Sequence, residues 1–328
     1  MILIISEEDD STTDRVISWL KHYQTPYLRI NNTTPFVFQL ATIGSDGSIS
    51  GILSGPGFAI DLKKISGYWY RRGKLQFRIQ LLGEQQMPGL MQQSNNFLFK
   101  EFNTLSEFVY DYLHSLSLSI GDIRQNQTNK LSNLRLAAAA GMLVPQSWIL
   151  TQKQDVLTLL GLHHKLLTKP LTQGGLSFEN DQLYFDGFSN LIGKDEVDKF
   201  HDSFAPTLFQ QYIDKAYELR IFYFEGACYA SSIFSQLDER TKVDFRNYND
   251  QRPNRTPPFL LPEHIRRAIC TFMERVGMKS GSLDVLVDTS GNYYFLEVNP
   301  IGQFYQVSHP CNYYLEKRVA QYFSHGKA

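Results

Sequence analysis

Apolar and polar positions repeat with two different periods along this chain, and each change of period marks an element. Residues 1–5 are a short apolar run that ends on the acids Glu7, Glu8, Asp9 and Asp10. Ser11, with Asp14 three residues on, reads as a helix start, and Val16, Ile17, Trp19 and Leu20 give that helix an apolar side. Residues 27–30 read as a strand, so the chain opens strand–helix–strand, the beginning of an open α/β sheet. Runs at 36–40 and 48–53 flank Asp46 and Gly47, a hairpin turn. Residues 67–73 gather aromatics beside Arg71 and Arg72, which fits an amphipathic strand or a peptide- or anion-binding edge.

Residues 97–116 follow a helical period, with Phe102, Leu105, Phe108, Val109 and Tyr112 on one side. The polar stretch 126–129 is the first boundary, and a helix over 131–140 follows, stopped by Gly141. Strands are predicted at 148–151, 165–169 and 182–185, a helix near 194–204, and alternating strands from 208 to 234. Residues 247–262, rich in Asn, Arg and Pro, predict a long surface loop. No internal repeat or low-complexity tract is present.

Composition narrows the class. The 328 residues are 42% hydrophobic, 20% charged and 13% aromatic, enough apolar material for two or three packed cores and too much for disorder. Lys and Arg total 32 against 33 Asp and Glu, so the basic excess wanted for general nucleic-acid or anionic-membrane binding is missing. Cys228, Cys270 and Cys311 are widely spaced, which reads as reduced, buried thiols and not as a disulfide framework or a zinc site. The start lacks the basic-then-apolar order of a secretory signal, and the apolar run 136–144 is about half of a membrane span. A soluble cytoplasmic protein is expected.

The most informative stretch is 282–300, SLDVLVDTSGNYYFLEVNP. With residues 289–292 as the loop of a hairpin, Asp288 pairs with Tyr293, Val287 faces Tyr294, Val285 faces Leu296 and Leu283 faces Val298. One face is then wholly apolar, which fixes the register. On the other face Asp284 stands opposite Glu297, with Asn299 two residues on. Like charges directly opposed are destabilising unless neutralised. Two carboxylates and an amide oxygen suit Mg²⁺, which keeps its other positions for water and phosphate oxygens. Solvated acids on an outer hairpin face are the ordinary alternative. The Asn-Pro ending favours the metal, and no P-loop, GxGxxG, HExxH or Ser/His/Asp pattern competes.

Mg²⁺ held by carboxylates accompanies nucleotide phosphates, so cations should lie upstream. Lys130 begins the helix after the boundary. Lys169 ends an apolar run and precedes the Gly-bearing turn 172–175, able to lie over phosphates. Period two puts Glu218 and Arg220 on the side opposite Leu219 and Ile221, and Arg246 precedes the long loop.

The order of these elements, closed by Asp284, Glu297 and Asn299, resembles the ATP-grasp fold. It is most similar to the ATP-grasp peptide maturases that make graspetides, the microviridin-like peptides with ω-ester or ω-amide rings. The opening acids with Ser11 and Thr12, the Tyr70–Gly73 motif (YRRG), the Lys215–Arg220 motif (KAYELR), Asp244 to Arg246 (DFR) and Glu297 to Gln303 (EVNPIGQ) resemble the chryseoviridin-type, grasp-with-SPASM subgroup. The fold class implied is α/β with α+β elements, an ATP-grasp fold behind a pre-ATP-grasp domain. The resemblance divides the chain into a pre-ATP-grasp domain (1–125), a central subdomain (126–208) and a carboxyl-terminal subdomain carrying the metal ligands (209–328), with ATP between the last two. It implies that the backbone of Gln210, Gln211, Tyr212 and Ile213 meets adenine and that Lys130 and Lys169 reach the phosphates. It further implies that Asp284, Glu297 and Asn299 hold two Mg²⁺ ions and that Arg220 and Arg246 are catalytic, steadying the transferred phosphoryl group. The partner implied is a ribosomal precursor peptide with a leader and a core, contacted through 68–78 or the helices beside the central sheet, and the assembly implied is a homodimer.

The implied chemistry converts an Asp or Glu side chain of the peptide into an acyl phosphate, which a Thr, Ser or Lys side chain then attacks. Such catalysis is positioning plus charge stabilisation and needs no cysteine or serine nucleophile. His201, His309 or a carboxylate could supply a base. A ligase of free amino acids, an ATP-grasp kinase and a nucleotide-binding regulatory subunit are the alternatives; the complete ligand set argues against the last.

Overall fold

The computed structural model describes residues 1–77, 88–126, 128–171, 178–180, 183–185, 189–236 and 254–326. Two units make up the chain: Met1–Asn126 with Tyr314–Ala328, and Gln127–Tyr313.

The first unit begins with β1 (Ile2–Ser6), α1 (Ser11–His22), β2 (Tyr27–Asn31), β3 (Pro35–Ile43), β4 (Ile49–Gly55), β5 (Phe58–Asp61), β6 (Gly67–Tyr70), β7 (Gln76–Phe77), α2 (Pro88–Ser115) and β8 (Leu118–Ile120). Four of these strands form an all-parallel sheet in the order β2-β1-β6-β8. Both of its faces are covered, which is why Ile2, Leu3, Ile4 and Ile5 are all buried. Leu3, Ile5, Tyr68 and Tyr70 pack with Val109, Tyr110 and Leu113 of α2 in one core. A second sheet, β5-β4-β3-β7, contains the hairpin around Gly47, whose φ of 77° only glycine adopts freely.

The segment at 67–73 is not an edge. β6 lies between β1 and β8, and all four of its residues are buried, so Tyr68, Trp69 and Tyr70 are core and not a leader-binding surface. Arg71, next in the chain, is buried and donates Nε to Asp10 Oδ2 at 2.8 Å. Burial pushes its guanidinium below the ordinary value, and the Asp10 charge offsets this. Asp10, not Ser11, caps α1: its Oδ1 accepts from Thr12 N and Thr13 N.

The second unit runs α3 (Lys130–Ala139), β9 (Ser147–Gln152), α4 (Lys153–His163), β10 (Leu166–Lys169), β11 (Phe178–Asn180), β12 (Leu183–Phe185), β13 (Asn190–Ile192), α5 (Lys194–Val197), β14 (Ser203–Gln211), β15 (Lys215–Phe224), β16 (Ala227–Ile233), β17 (Pro258–Phe259), α6 (Glu263–Arg275), β18 (Ser280–Asp288), β19 (Tyr293–Asn299) and α7 (Tyr305–Ser308). It holds two larger sheets. The order β13-β10-β14-β9 packs with α4 and α5 around Val156, Leu166, Val197 and Phe209. The order β17-β16-β15-β18-β19 lays Leu219, Ile221, Leu283, Val285, Val287, Phe295 and Val298 against Ile265, Ile269 and Phe272 of α6.

One further expectation is corrected here. The helix near 194–204 is only α5, because Ser203 already begins β14. α3 puts Leu134 and Ala137 into the core beneath the five-stranded sheet. The chain end returns to the first unit as α8 (Leu315–His325), which packs on α1, with the Phe323 ring 6.4 Å from that of Trp69. Among the described residues no helix is long and apolar enough to cross a membrane.

Candidate active site

The hairpin β18–β19 sets the centre of the site. Its turn is tighter than the sequence pattern suggests. Asp288 N donates to Asn292 O at 3.0 Å and Gly291 N to Asp288 O at 3.1 Å, with Gly291 at φ 84°, so three residues form the loop. Hydrogen bonds from the side chain and backbone of Asn292 hold the Asp288 carboxyl below its usual range, which makes Asp288 a turn residue. The shorter turn shifts the tip by one position: Val287 faces Tyr293 and Val285 faces Phe295. A bulge at Leu296 absorbs the shift, and beyond it Asp284 faces Glu297, Leu283 faces Val298 and Ser282 faces Asn299. Phe295 thereby takes the core place expected for Leu296 and meets Phe272 at 4.9 Å between rings.

The face of the sheet away from α6 carries the polar groups. Ser231, Arg220, Asp284 and Glu297 stand in one row across four strands, and Tyr229, Phe222, Ser282 and Asn299 form the adjacent row. Arg220 Nη1 donates to both carboxylate oxygens of Asp284, at 2.6 and 2.7 Å, and both residues are buried. Its Nε is buried with no hydrogen-bond partner among the described residues. Lys130 Nζ lies 3.7 Å from Glu297 Oε2 and donates to Pro170 O at 3.1 Å. A cation in the first turn of a helix opposes the helix dipole, so the place of Lys130 is accounted for by what its ammonium reaches and not by helix stability. Asn299 Oδ1 accepts from Ile301 N at 3.1 Å, an Asx turn that leaves the oxygen's second lone pair. Gly302, at φ 62°, closes that turn, and a Cβ there would meet the Phe222 ring at 3.1 Å and the Gly281 Cα at 3.5 Å.

Comparison with known proteins places this geometry. Residues 1–117 match a family model described as the MvdD pre-ATP grasp domain. No curated protein matches the chain in sequence. Among solved structures, a RiPP-associated ATP-grasp ligase of Chryseobacterium gregarium, in complex with ADP and a leader and core peptide, superposes with a TM-score of 0.75 at 23% identity, over 98% of this chain and 95% of that one. The chain has the ATP-grasp fold. The macrocyclase MdnC of Microcystis aeruginosa MRC, bound with precursor peptide MdnA, gives a TM-score of 0.75 at 22% identity with both chains fully covered. The ATP-grasp ligase PsnB, complexed with minimal precursor, Mg and ADP, gives 0.71 at 16% identity over 99% of this chain and 96% of that one.

Within the ATP-grasp fold, the second unit gathers Lys130, Arg220, Asp284, Glu297 and Asn299 around one sheet face. Lys169 ends β10 opposite Leu208 and adjoins Pro170, the acceptor of Lys130. Gln210 and Gln211 end β14, which runs between β10 and β9; the Gln210 side chain is buried and donates to Ser147 Oγ at 2.8 Å, and Gln211 N donates to Gln146 O at 2.8 Å. Tyr212 and Ile213 lie in the link to β15, with the Lys165 ammonium 5.9 Å above the Tyr212 ring. Arg246 and the turn 172–175 lie outside the described residues. The oxygen donors are hard ligands of the kind Mg²⁺ takes, and the unpartnered Arg220 Nε suits an anionic oxygen, so the residues present fit a metal–nucleotide pair. Among the described residues no three His, Cys, Asp or Glu side chains cluster.

Sequence reasoning overlooked a second buried pair on this face. Lys215 donates to Glu218, and Ser235 Oγ lies 3.4 Å from the same Glu218 oxygen. The cysteines stay outside the site. Cys228 and Cys270 are half-buried rather than buried, and all three thiols are free. Burial, with the neighbouring Cys270, pushes the Cys228 thiol up to about 12. At pH 8 it therefore stays protonated, and iodoacetamide should label it far more slowly in native than in urea-unfolded protein. Equal rates by mass spectrometry would show that the thiol is not shielded.

Proposed function

We propose that this protein is an ATP-dependent macrocyclase of the graspetide maturase type, joining Asp or Glu side chains of a ribosomal precursor peptide to Thr, Ser or Lys side chains. The observation that carries the reading is the row Arg220–Asp284–Glu297 with Lys130 against its end. Its support is the end-to-end likeness to ligases solved with precursor peptides, nucleotide and Mg. That likeness covers the first unit as well as the nucleotide-binding part.

In this reading the backbone of Gln210, Gln211, Tyr212 and Ile213 holds adenine, and Lys130 and Lys169 hold phosphate oxygens. Asp284, Glu297 and Asn299 hold two Mg²⁺ ions. Bound Mg²⁺ offsets phosphate charge and orients the γ-phosphoryl group. Arg220, through its buried Nε, and Arg246 stabilise the phosphoryl oxygens as charge builds on them. An oxygen of the peptide carboxylate attacks the γ-phosphorus, the bond to ADP breaks, and an acyl phosphate forms. The hydroxyl or amine of a second side chain then attacks the acyl carbon, phosphate leaves, and the nucleophile's proton passes to a base. The water formally lost in ring closure ends in phosphate. We assign the protein to the cytoplasm, as a homodimer, with the 126–208 and 209–328 segments as the two halves of the grasp.

The test is mass spectrometry of candidate precursor peptides incubated with the protein, ATP and Mg²⁺. Loss of one water per ring, dependent on ATP, is the expected result. Gain of phosphate without water loss would make it a kinase. ATP consumption on free amino acids alone would make it a small-substrate ligase.

A further inference from the structure

α3 carries a side chain whose placement is costly for the protein alone. Asn133 is 5% exposed, and its Nδ2 has no hydrogen-bond partner among the described residues. Its neighbours on the helix side chains' inward row are Lys130, Leu134 and Ala137, all buried. Leu134 and Ala137 belong to the apolar core under the five-stranded sheet, and Lys130 reaches Glu297. Residues three apart share one side of a helix, and side chains lean toward its amino end. Asn133 therefore shares the buried side of α3 with Lys130, and α3 packs on β19.

Nothing about helix stability asks for Asn at this place. Asn is a weaker helix former than Leu, and a buried amide hydrogen without an acceptor is destabilising. A leucine would extend the core begun by Leu134. Thr128 Oγ1 shares the lack of a partner among the described residues with two nitrogen donors of this unit, Asn133 Nδ2 and Arg220 Nε, while Lys130 pairs with Glu297 and Asp284 with Arg220. What both donors match is an anionic oxygen.

We infer that Asn133 is a nucleotide-binding residue, whose side-chain amide donates to a phosphate oxygen of the bound nucleoside triphosphate beside Lys130. This rests on the ATP-dependent reading above and adds a residue to it. Such a residue trades stability of the free protein for binding, and that trade gives the test two independent readouts.

The experiment measures binding of Mg·AMPPNP by titration calorimetry, and thermal unfolding without nucleotide, for the wild type, Asn133→Leu and Asn133→Asp. Asn133→Leu is expected to weaken Mg·AMPPNP at least tenfold while the melting temperature of the free protein stays level or rises. Asn133→Asp, similar in size but negative, should weaken binding further. Binding within twofold of wild type in both variants would overturn the proposal. So would a fall in melting temperature of the Leu variant that accompanies its loss of binding, because that marks a structural amide. Failure of the wild type itself to bind Mg·AMPPNP would instead overturn the ATP-dependent reading on which the proposal stands.

Discussion

Glu297→Gln should reduce ATP turnover roughly 100-fold or more while the protein keeps its fold, because it removes one of the charges assigned to the metal. The substitution is nearly isosteric, on a strand whose register is fixed by the apolar face behind it. Opposite Glu297 stands Asp284, so loss of the charge also relieves a like-charge pair, against which stands the lost attraction to Lys130. These effects oppose one another, and the melting temperature should move by only a few degrees. The Mg²⁺ concentration that supports the residual activity should rise. Unchanged turnover at saturating Mg²⁺ would remove Glu297 from the site.

The second large effect is on stability. Arg220 and Asp284 are both buried and face each other across two strands, at 2.6 and 2.7 Å. Arg220→Met strands the Asp284 carboxylate in the sheet, and the cost of a broken buried pair is about 3 kcal/mol or more. Urea unfolding should show it as a lower midpoint at unchanged slope. Replacing both partners, Arg220→Met with Asp284→Leu, should regain most of that loss, since an apolar pair removes the desolvation penalty on both sides. Turnover should not return in the double variant. A single variant as stable as wild type would mean that Asp284 finds another cation, and a double variant with restored turnover would exclude both residues from catalysis.

How much of this was visible in the chain depends on what each pattern can encode. Alternation of Leu283, Val285 and Val287 against the run ending at Val298 identifies the hairpin and sets Asp284 opposite Glu297. The bulge at Leu296 is invisible, because Tyr294, Leu296 and Val298 keep an unbroken period of two and nothing marks a residue to be skipped. Residues 194–204 mislead for a related reason. Val197, Phe200 and Phe204 have helical spacing, yet a short helix, a turn and a strand deliver all three to the same core. β6 was ambiguous because a parallel strand buried on both faces has no alternation, and its aromatics resemble a recognition surface. Arg71 has no signature of burial until Asp10 is seen beside it. Asn133 is hidden altogether, since an Asn in a helix ordinarily reads as solvent-facing polarity.

The return of the chain to its first unit has a consequence for the order of events at the ribosome. β1 and α1 are made before the inserted unit, yet Leu315, Val319, Ala320, Tyr322 and Phe323, buried apolar residues of the helix that packs on α1, are made only after it. Each large apolar side chain left in water forfeits about 1.5–3 kcal/mol. The amino-terminal unit must therefore wait, incomplete and with an uncovered apolar surface, while the whole of Gln127–Tyr313 is synthesised. The inserted unit has no such debt and can close as soon as it emerges. The inserted unit is then the first able to finish folding, and a nascent chain released before residue 315 carries a complete five-stranded sheet together with an aggregation-prone remnant.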